Sequence, residues 1–368
     1  MRIGIVTLTA SNNCGSLLQA YALKILLEQY GEVDVINFSS DAAHKIYDIP
    51  RLINPFKHPR TFVVQACFYP RRLKESREYE AFRKRYLNIL GREYFRKDLA
   101  TLKNRYDVVV AGSDQVWNVM MRDFDEAFLC GWFDAKKVAY APSLGGHDIR
   151  ESQEWQRFAE YINKFSWLSS RERFGKRCIE EITGREVAYV LDPTLTVNTE
   201  AWIKLIGKPM IKGSYIFFYS WAYNDQSLVK IVSEQKEKAD MPVYVLDSRK
   251  WSAKKLRENN FILSKEQGPL AFLNLMYYAE RCYVESFHGM IFAYLFQKNF
   301  WLLDWHQNLG EMDRRLSELV DLLGMDNRIL TPYNYYLIDQ SANLVYQKND
   351  RLLDMLDLSR NYLDKALL

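Results

Sequence analysis

Short apolar runs alternate with helically spaced ones along nearly the whole chain, and this alternation is the tightest constraint on its fold. Residues 2–8 are β-branched and alternating, which predicts a strand; residues 9–15 are a polar loop. Residues 16–30 then place Leu17, Leu18, Tyr21, Ala22, Ile25 and Leu26 at helical spacing, Gly31 ends that helix, and residues 33–38 supply the next strand. Further strands are expected over 106–111, 138–141, 165–169 and 187–191, with helices over 151–163 and 173–183. Strands and helices alternating at this pitch build a parallel sheet.

Asp192-Pro193-Thr194 punctuates the pattern, because the residue before proline is pushed away from helix. A second series follows, with strands over 215–220, 243–246, 282–285 and 300–303. Its helices span 226–239, 270–279, 288–297, 314–323 and 345–367. A length of 368 residues suits two α/β domains sharing a cleft. The expected division is 1–195, 196–344 and a last helix, 345–368, crossing back onto the first domain. Ligands of such sheets bind beyond the carboxyl ends of the strands.

Residues 50–105 interrupt the rhythm with Pro50, Pro55, Pro59 and Pro70 and helical stretches over 62–68 and 76–87. They read as a basic helical insertion in the first domain: residues 51–105 carry 15 lysines and arginines against 5 acidic residues, in a chain of net charge +4. Such a segment can attract anionic lipid, nucleic acid or a phosphorylated substrate, or be a solvated helical face. No nucleic-acid motif accompanies it. Arg71, Arg72 and Lys74 are the charges expected to meet a membrane surface.

Hydrophobic residues at 48% and charged residues at 26% exclude a disordered, collagen-like or coiled-coil chain. Five scattered cysteines form neither a disulfide framework nor a zinc site, which suits a reducing compartment. The first residues lack the layout of a signal peptide, and no stretch approaches the ~18–20 apolar residues of a membrane span. The expected location is cytoplasmic, with peripheral contact at the inner face of the membrane through 51–105.

Four polar loops follow expected strands. The first, Ala10 to Ser16, has small residues at a helix N-terminus, where Asn13 and Gly15 allow an anion to approach or simply cap and turn the chain. It fits neither the Walker A nor the dinucleotide glycine pattern. The second offers Ser113, Asp114, Gln115, Trp117 and Asn118 to a sugar, with hydroxyl partners and an apolar ring face; a capping Asp with a packed Trp reads equally well. The third brings Arg171, whose planar fork suits carboxylate or phosphate, beside Glu172, which can pair with Arg171 or Lys176. The fourth, Glu285 to Met290, sets His288 at a helix start, with Ser286 able to cap and Gly289 small. No residues have metal-ligand spacing, and no metal is expected.

In this order the loops resemble the polysaccharide pyruvyl transferase family. The matching stretches begin at Asn13-Cys14-Gly15-Ser16-Leu17-Leu18-Gln19-Ala20-Tyr21, Gly112-Ser113-Asp114-Gln115-Val116-Trp117-Asn118 and Tyr140-Ala141-Pro142-Ser143-Leu144-Gly145. Ser170-Arg171-Glu172, Leu191-Asp192-Pro193-Thr194 and Ser286-Phe287-His288-Gly289-Met290-Ile291 complete the set. The resemblance implies two Rossmann-like domains facing a cleft, as in GT-B glycosyltransferases. It also implies transfer of pyruvate from phosphoenolpyruvate, as co-substrate and with no other cofactor, onto two hydroxyls of a sugar. The sugar would belong to a polysaccharide or a lipid-linked oligosaccharide of the cell envelope, such as capsule or exopolysaccharide.

By that resemblance His288 and Arg171 belong to the donor site, joined by Asn13, Gly15, Ser286 and Gly289. His288 is then the acid or phosphate ligand, and Asp114 the base or orienting group on the sugar side. Family members often carry arginine two residues before the histidine, where this chain has Ser286. A glycosyltransferase using a nucleotide sugar, or a glycan-binding relative without chemistry, would fit the same cleft.

Overall fold

The computed structural model describes residues 1–48, 56–57, 59–89, 92–220, 223, 225–247, 258–304, 313–339, 346 and 349–368. Parts of the expected insertion and the start of the expected final helix at 345 therefore lie outside the described residues.

Two parallel sheets form as the alternation requires. In the first, β1 (Arg2–Val6), β2 (Glu32–Val35), β3 (Val108–Asp114) and β4 (Lys136–Pro142) run in the order β2-β1-β3-β4. A short parallel pair, β5 (Ser169–Ser170) and β6 (Ala188–Tyr189), lies beside β4 through a bridge between Val138 and Trp167. The second sheet has β7 (Ile216–Tyr219), β8 (Val243–Val245), β9 (Ile262–Leu263), β10 (Arg281–Val284), β11 (Asn299–Leu303) and β12 (Ile329–Leu330). Its order is β12-β11-β10-β7-β8-β9, again all parallel.

Around the first sheet lie α1 (Cys14–Glu28), α2 (Asp41–Tyr47), α3 (Pro59–Tyr86), α4 (Trp155–Asn163), α5 (Arg173–Thr183) and the short α6 (Pro193–Thr196). Then come α7 (Thr199–Ile206), α8 (Gln226–Ala239), α9 (Gly268–Tyr278), α10 (Phe287–Leu295), α11 (Arg314–Leu323) and α12 (Asp350–Leu367). One apolar core runs without a break from Ile3 and Leu17 through Trp202 to Phe217 and Phe292, so the two sheets are packed together through their helices. This is the expected GT-B-like α/β architecture, with a cleft between two Rossmann-like halves.

Three connections fix that cleft. Glu318 of α11 accepts the backbone N–H groups of Arg173 (2.6 Å) and Phe174 (3.1 Å), capping α5 from the other half of the molecule. Helix α12 returns to the first sheet, where the Tyr362 hydroxyl donates to the Ala139 carbonyl (2.7 Å) and Ser359 accepts from the Leu191 N–H (2.9 Å).

The third connection is α3. The two helical stretches expected in the insertion are one helix of 28 residues that passes through Pro70, at the loss of a backbone donor. At one end its buried Arg83 donates to the carbonyls of Thr9 (2.7 Å), Ala10 (3.1 Å) and Ser11 (2.9 Å) and to Asn12 Oδ1 (2.8 Å). One to three turns earlier Lys74 donates to the Lys265 carbonyl and to Glu266 (both 2.9 Å), and Glu78 accepts the Gln267 N–H (2.5 Å). The insertion is thus a strut across both halves, and Lys74, expected at a membrane surface, is exposed and pairs with Glu266.

No helix among the described residues is long and apolar enough to cross a membrane.

Candidate active site

Three helix N-termini open on one cleft of about 330 Å³ at the carboxyl ends of the strands. Each is capped by a side chain of the expected type: Asn13 accepts from Ser16 N–H (3.3 Å), Ser286 from Gly289 N–H (3.0 Å), and Asp313 from Arg315 N–H (2.9 Å). These caps begin α1, α10 and α11, and their residues line the cleft together with Asp114, Gln115, Arg171, Glu285, His288 and Arg315. Converging N-termini carry partial positive charge and suit an anion.

Beneath the cleft is a buried charge cluster centred on Arg171, whose side chain is 1% exposed. Its guanidinium meets Asp192 at 2.6 Å, Asp114 at 3.3 Å and Glu172 at 3.5 Å, and lies 4.3 Å from the centre of the Phe287 ring. Asp114 also accepts from the Ser16 hydroxyl (2.6 Å), and Asp192 from Thr194 N–H (3.0 Å), Thr194 Oγ1 (2.6 Å) and Ser113 Oγ (3.3 Å).

Burial alone would raise both aspartates, but Arg171 and His288 beside Asp114 hold its carboxyl below the usual range. At Asp192 burial is likewise outweighed, by His288 and then Arg171, and the carboxyl is held well down. Burial would weaken the Arg171 charge, and its three carboxylates more than reverse that. Glu172 differs: burial dominates, and its carboxyl is raised even with Arg171 and Arg315 near it. Arg171 is therefore already neutralised. The expected donor arginine is the keystone of the site rather than its open cation.

His288 stands between this cluster and the cleft. Its Nε2 is 3.6 Å from Asp192 Oδ2, within ion-pair range but too long for a hydrogen bond. That buried nitrogen has no hydrogen-bond partner among the described residues. The opposite side of the ring rests on Gly15: a Cβ there would fall 2.3 Å from Nδ1 and 2.7 Å from Cγ. Gly15 is required by the close approach of this imidazole.

Asp114 ends β3 in the left-handed region, with φ of 66°. For a residue other than glycine that conformation costs ~1–3 kcal/mol and persists only where surrounding contacts enforce it. Here Ser16 and Arg171 do so, and the side chain points at the cleft.

The expected residues divide clearly. Asn13, Gly15, Asp114, Gln115, Arg171, Ser286 and His288 all line the cleft, and Gly289 packs just behind Ser286. The other acceptor candidates do not reach it. Ser113 and Trp117 are 0% exposed; the Trp117 indole donates to the Phe128 carbonyl (3.3 Å) and packs edge-on against Phe165. Asn118 is buried and donates to Gln115 (2.7 Å). The reason is that β3 runs on to Asp114, all seven residues buried, where the sequence places a loop from Gly112.

Two residues of the cleft and its buried cluster, Asp192 and Arg315, have no role in the sequence reading. Asp192 had a visible signal, its Leu191-Asp192-Pro193-Thr194 stretch. Arg315 had none: it is held at the cleft by both oxygens of Asp313. Among the described residues no group of three or more His, Cys, Asp or Glu is placed to hold a metal ion.

Solved structures share this fold over nearly the whole chain. The UDP-GlcNAc 2-epimerase of Neisseria meningitidis bound to UDP-GlcNAc is 12% identical, with a TM-score of 0.55, covering 98% of this chain and 96% of that one. The Methanocaldococcus jannaschii UDP-GlcNAc 2-epimerase, in complex with UDP-GlcNAc and UDP, is 14% identical, with a TM-score of 0.52, covering 98% and 93%. At such identities the likeness carries the fold alone. None of the curated proteins matches the chain. The family model described as polysaccharide pyruvyl transferase matches residues 13–307, a span that holds Asn13, Asp114, Arg171, Asp192 and His288 but not Arg315, and the chain belongs to that family.

Proposed function

We propose that the protein transfers the pyruvyl group of phosphoenolpyruvate onto two hydroxyls of one sugar, in a polysaccharide or lipid-linked oligosaccharide precursor, closing a cyclic ketal. The observation that carries this reading is the meeting of three helix N-termini, Arg315 and His288 at one small cleft. A dianionic phosphate and a carboxylate need cations and N–H donors, and these groups supply them. Arg315 takes the place of the arginine absent at Ser286. At about 330 Å³ the cleft lies at the small end of ligand sites, which favours a three-carbon donor over a nucleotide sugar.

In the proposed reaction a proton adds to the methylene carbon of phosphoenolpyruvate, making C2 electrophilic. One sugar hydroxyl bonds to C2 and loses its proton; the bond from C2 to the phosphate oxygen then breaks as the second hydroxyl adds. The products are the ketal and inorganic phosphate. One hydroxyl proton balances that taken by the methyl group, and the other leaves with phosphate. His288, with its Nε2 unbonded and Asp192 behind it, is the acid on the donor side. Asp114 is a weak base, since its carboxyl is held low, so its role is to orient Arg171 and the acceptor hydroxyl. The exposed part of the basic segment would meet the membrane that carries a lipid-linked acceptor.

Thermal-shift titration with phosphoenolpyruvate, against UDP- and GDP-sugars, tests the donor, because a ligand of the folded state raises Tm. Phosphoenolpyruvate should stabilise the wild type and fail to stabilise Arg315→Gln. Pyruvyl transfer undiminished in His288→Ala, or stabilisation by nucleotide sugars alone, refutes the reading.

A further inference from the structure

With Ser113, Trp117 and Asn118 buried, the main cleft offers an acceptor little more than the edge where its diol reacts. A second cavity of about 340 Å³ opens on the far side of the loop 9–12. The two cavities share Tyr47, at the end of α2. The loop between them is pinned from behind by Arg83, so their separation is fixed by the fold.

The chemistry of this second cavity is specific. Three carboxylates, Asp48, Glu80 and Glu93, face it, and its guanidinium, Arg83, is already bound to three carbonyls and Asn12. Glu80 in turn pairs with Arg83 (3.7 Å) and Lys84 (3.3 Å), so the charges of this cavity are balanced among themselves and Arg83 is not left for an incoming anion. His44 is held between Asp48 (3.0 Å) and Glu93 (3.3 Å) and stacked on Phe95 with ring centres 5.4 Å apart. Ser39 donates to the same Glu93 (2.5 Å). Preset hydroxyl, imidazole, amide and carboxylate groups beside one aromatic ring match the alternating hydroxyls and apolar face of a pyranose. That ring is Tyr47, whose hydroxyl is tied to the Asp123 carboxyl.

We propose that this cavity is a subsite for an uncharged hexose or N-acetylhexosamine unit next to the reacting sugar of the acceptor, the glycan crossing Tyr47 to place its diol in the main cleft. The inference rests on the sugar-acceptor part of the reading above. It moves acceptor recognition from Ser113, Trp117 and Asn118 to α2 and to α3 of the insertion. Two neighbouring sugars would then bind in series, the second raising affinity without touching the chemistry.

The test uses the whole protein and saturation-transfer NMR with glucose, galactose, mannose, N-acetylglucosamine, lactose, cellobiose and chitobiose, and with glucuronate as an anionic control. Two variants probe the cavity: Ser76→Trp fills it, and Glu80→Ala removes a half-exposed carboxylate from its wall. At least one disaccharide should contact the wild type, with its signal cut five-fold or more in both variants, while glucuronate stays weak. Phosphoenolpyruvate should still raise Tm equally in wild type and variants. Disaccharide signals unchanged in both variants, no sugar contacting the wild type, or glucuronate binding as well as the neutral sugars would each overturn the subsite. Absence of a phosphoenolpyruvate shift, with disaccharide contact still lost in Ser76→Trp, would remove the donor and leave the subsite standing.

Discussion

Replacing Gly15 with alanine isolates the contact on which the proposed chemistry depends. The added methyl would sit 2.3 Å from His288 Nδ1, where ordinary contact needs about 3.5 Å or more, so the ring must retreat by about 1 Å. Two effects on stability oppose each other. Alanine gains up to ~1 kcal/mol over glycine inside a helix, less in the first turn of α1, whereas overpacking costs ~1–3 kcal/mol. The net loss should be about 0–3 kcal/mol, which leaves the protein folded. The rate is more exposed: displacing a catalytic group by about 1 Å can cost ~100-fold. Phosphate release from phosphoenolpyruvate with acceptor present, followed beside thermal unfolding, should show kcat falling by about that factor with Tm lowered by only a few degrees. A folded Gly15→Ala protein with wild-type kcat would refute both the placement of the His288 ring and its role as acid.

Asp192→Asn removes the closest carboxylate of Arg171; losing one partner of a buried pair costs ~3–5 kcal/mol, and the low end applies because Asp114 and Glu172 remain. Since the Asp192 carboxyl is held down in the folded chain, its stabilisation is present above the unfolded value near 3.8 and lost as pH falls, so acid unfolding should be less steep in the variant. Glu78 gives the opposite sign: burial and the Glu266 carboxyl push it up to about 7, so its contribution is complete below about pH 4.5 and lost as pH rises through 7. Wild type should lose ~1–2 kcal/mol across that window, discounted for partial solvent exposure, and Glu78→Gln should lose none; parallel urea midpoints at each pH would exclude this. For the membrane contact, reversing Arg71 and Arg72 to glutamate should lower association with anionic liposomes at low salt, and unchanged binding counts against it.

How much of this the sequence carries depends on where each interaction's partner lies. Helix α5, Arg173–Thr183, is legible residue for residue, because Cys178 and Ile179 form its buried face and Gly184 stops it in the left-handed region. The end of β3 is not legible, because Gly112-Ser113-Asp114 has loop-like residues whose polar groups are satisfied at a distance. Ser113 N–H finds Gln19 (3.1 Å) and Ser113 Oγ finds the Ala141 carbonyl (2.9 Å), partners that only the fold brings near. The Pro70 helix is a similar case: after the proline, Lys74, Glu78 and Arg83 bind partners far away in the sequence, which no local pattern announces.

The same distinction governs the site. Local sequence identifies the loops that carry Asn13, Asp114, Arg171 and His288 to the cleft, though not the start of α11 at Asp313, because a strand end, small residues and a polar side chain are neighbours in the chain. It does not identify which charge remains available there, because neutralisation is set by partners far apart in sequence. Arg171 has the residue type expected of an anion ligand, yet Asp192, 21 positions on, and Asp114, 57 positions back, already satisfy it. Arg315 has no motif around it, yet it lines the cleft with its partner carboxylate at the rim rather than buried below. A ligand anion competes with one half-exposed carboxylate for Arg315, but with three buried ones for Arg171. Ser286 caps α10, and under the proposed reading the guanidinium expected beside it would come from α11.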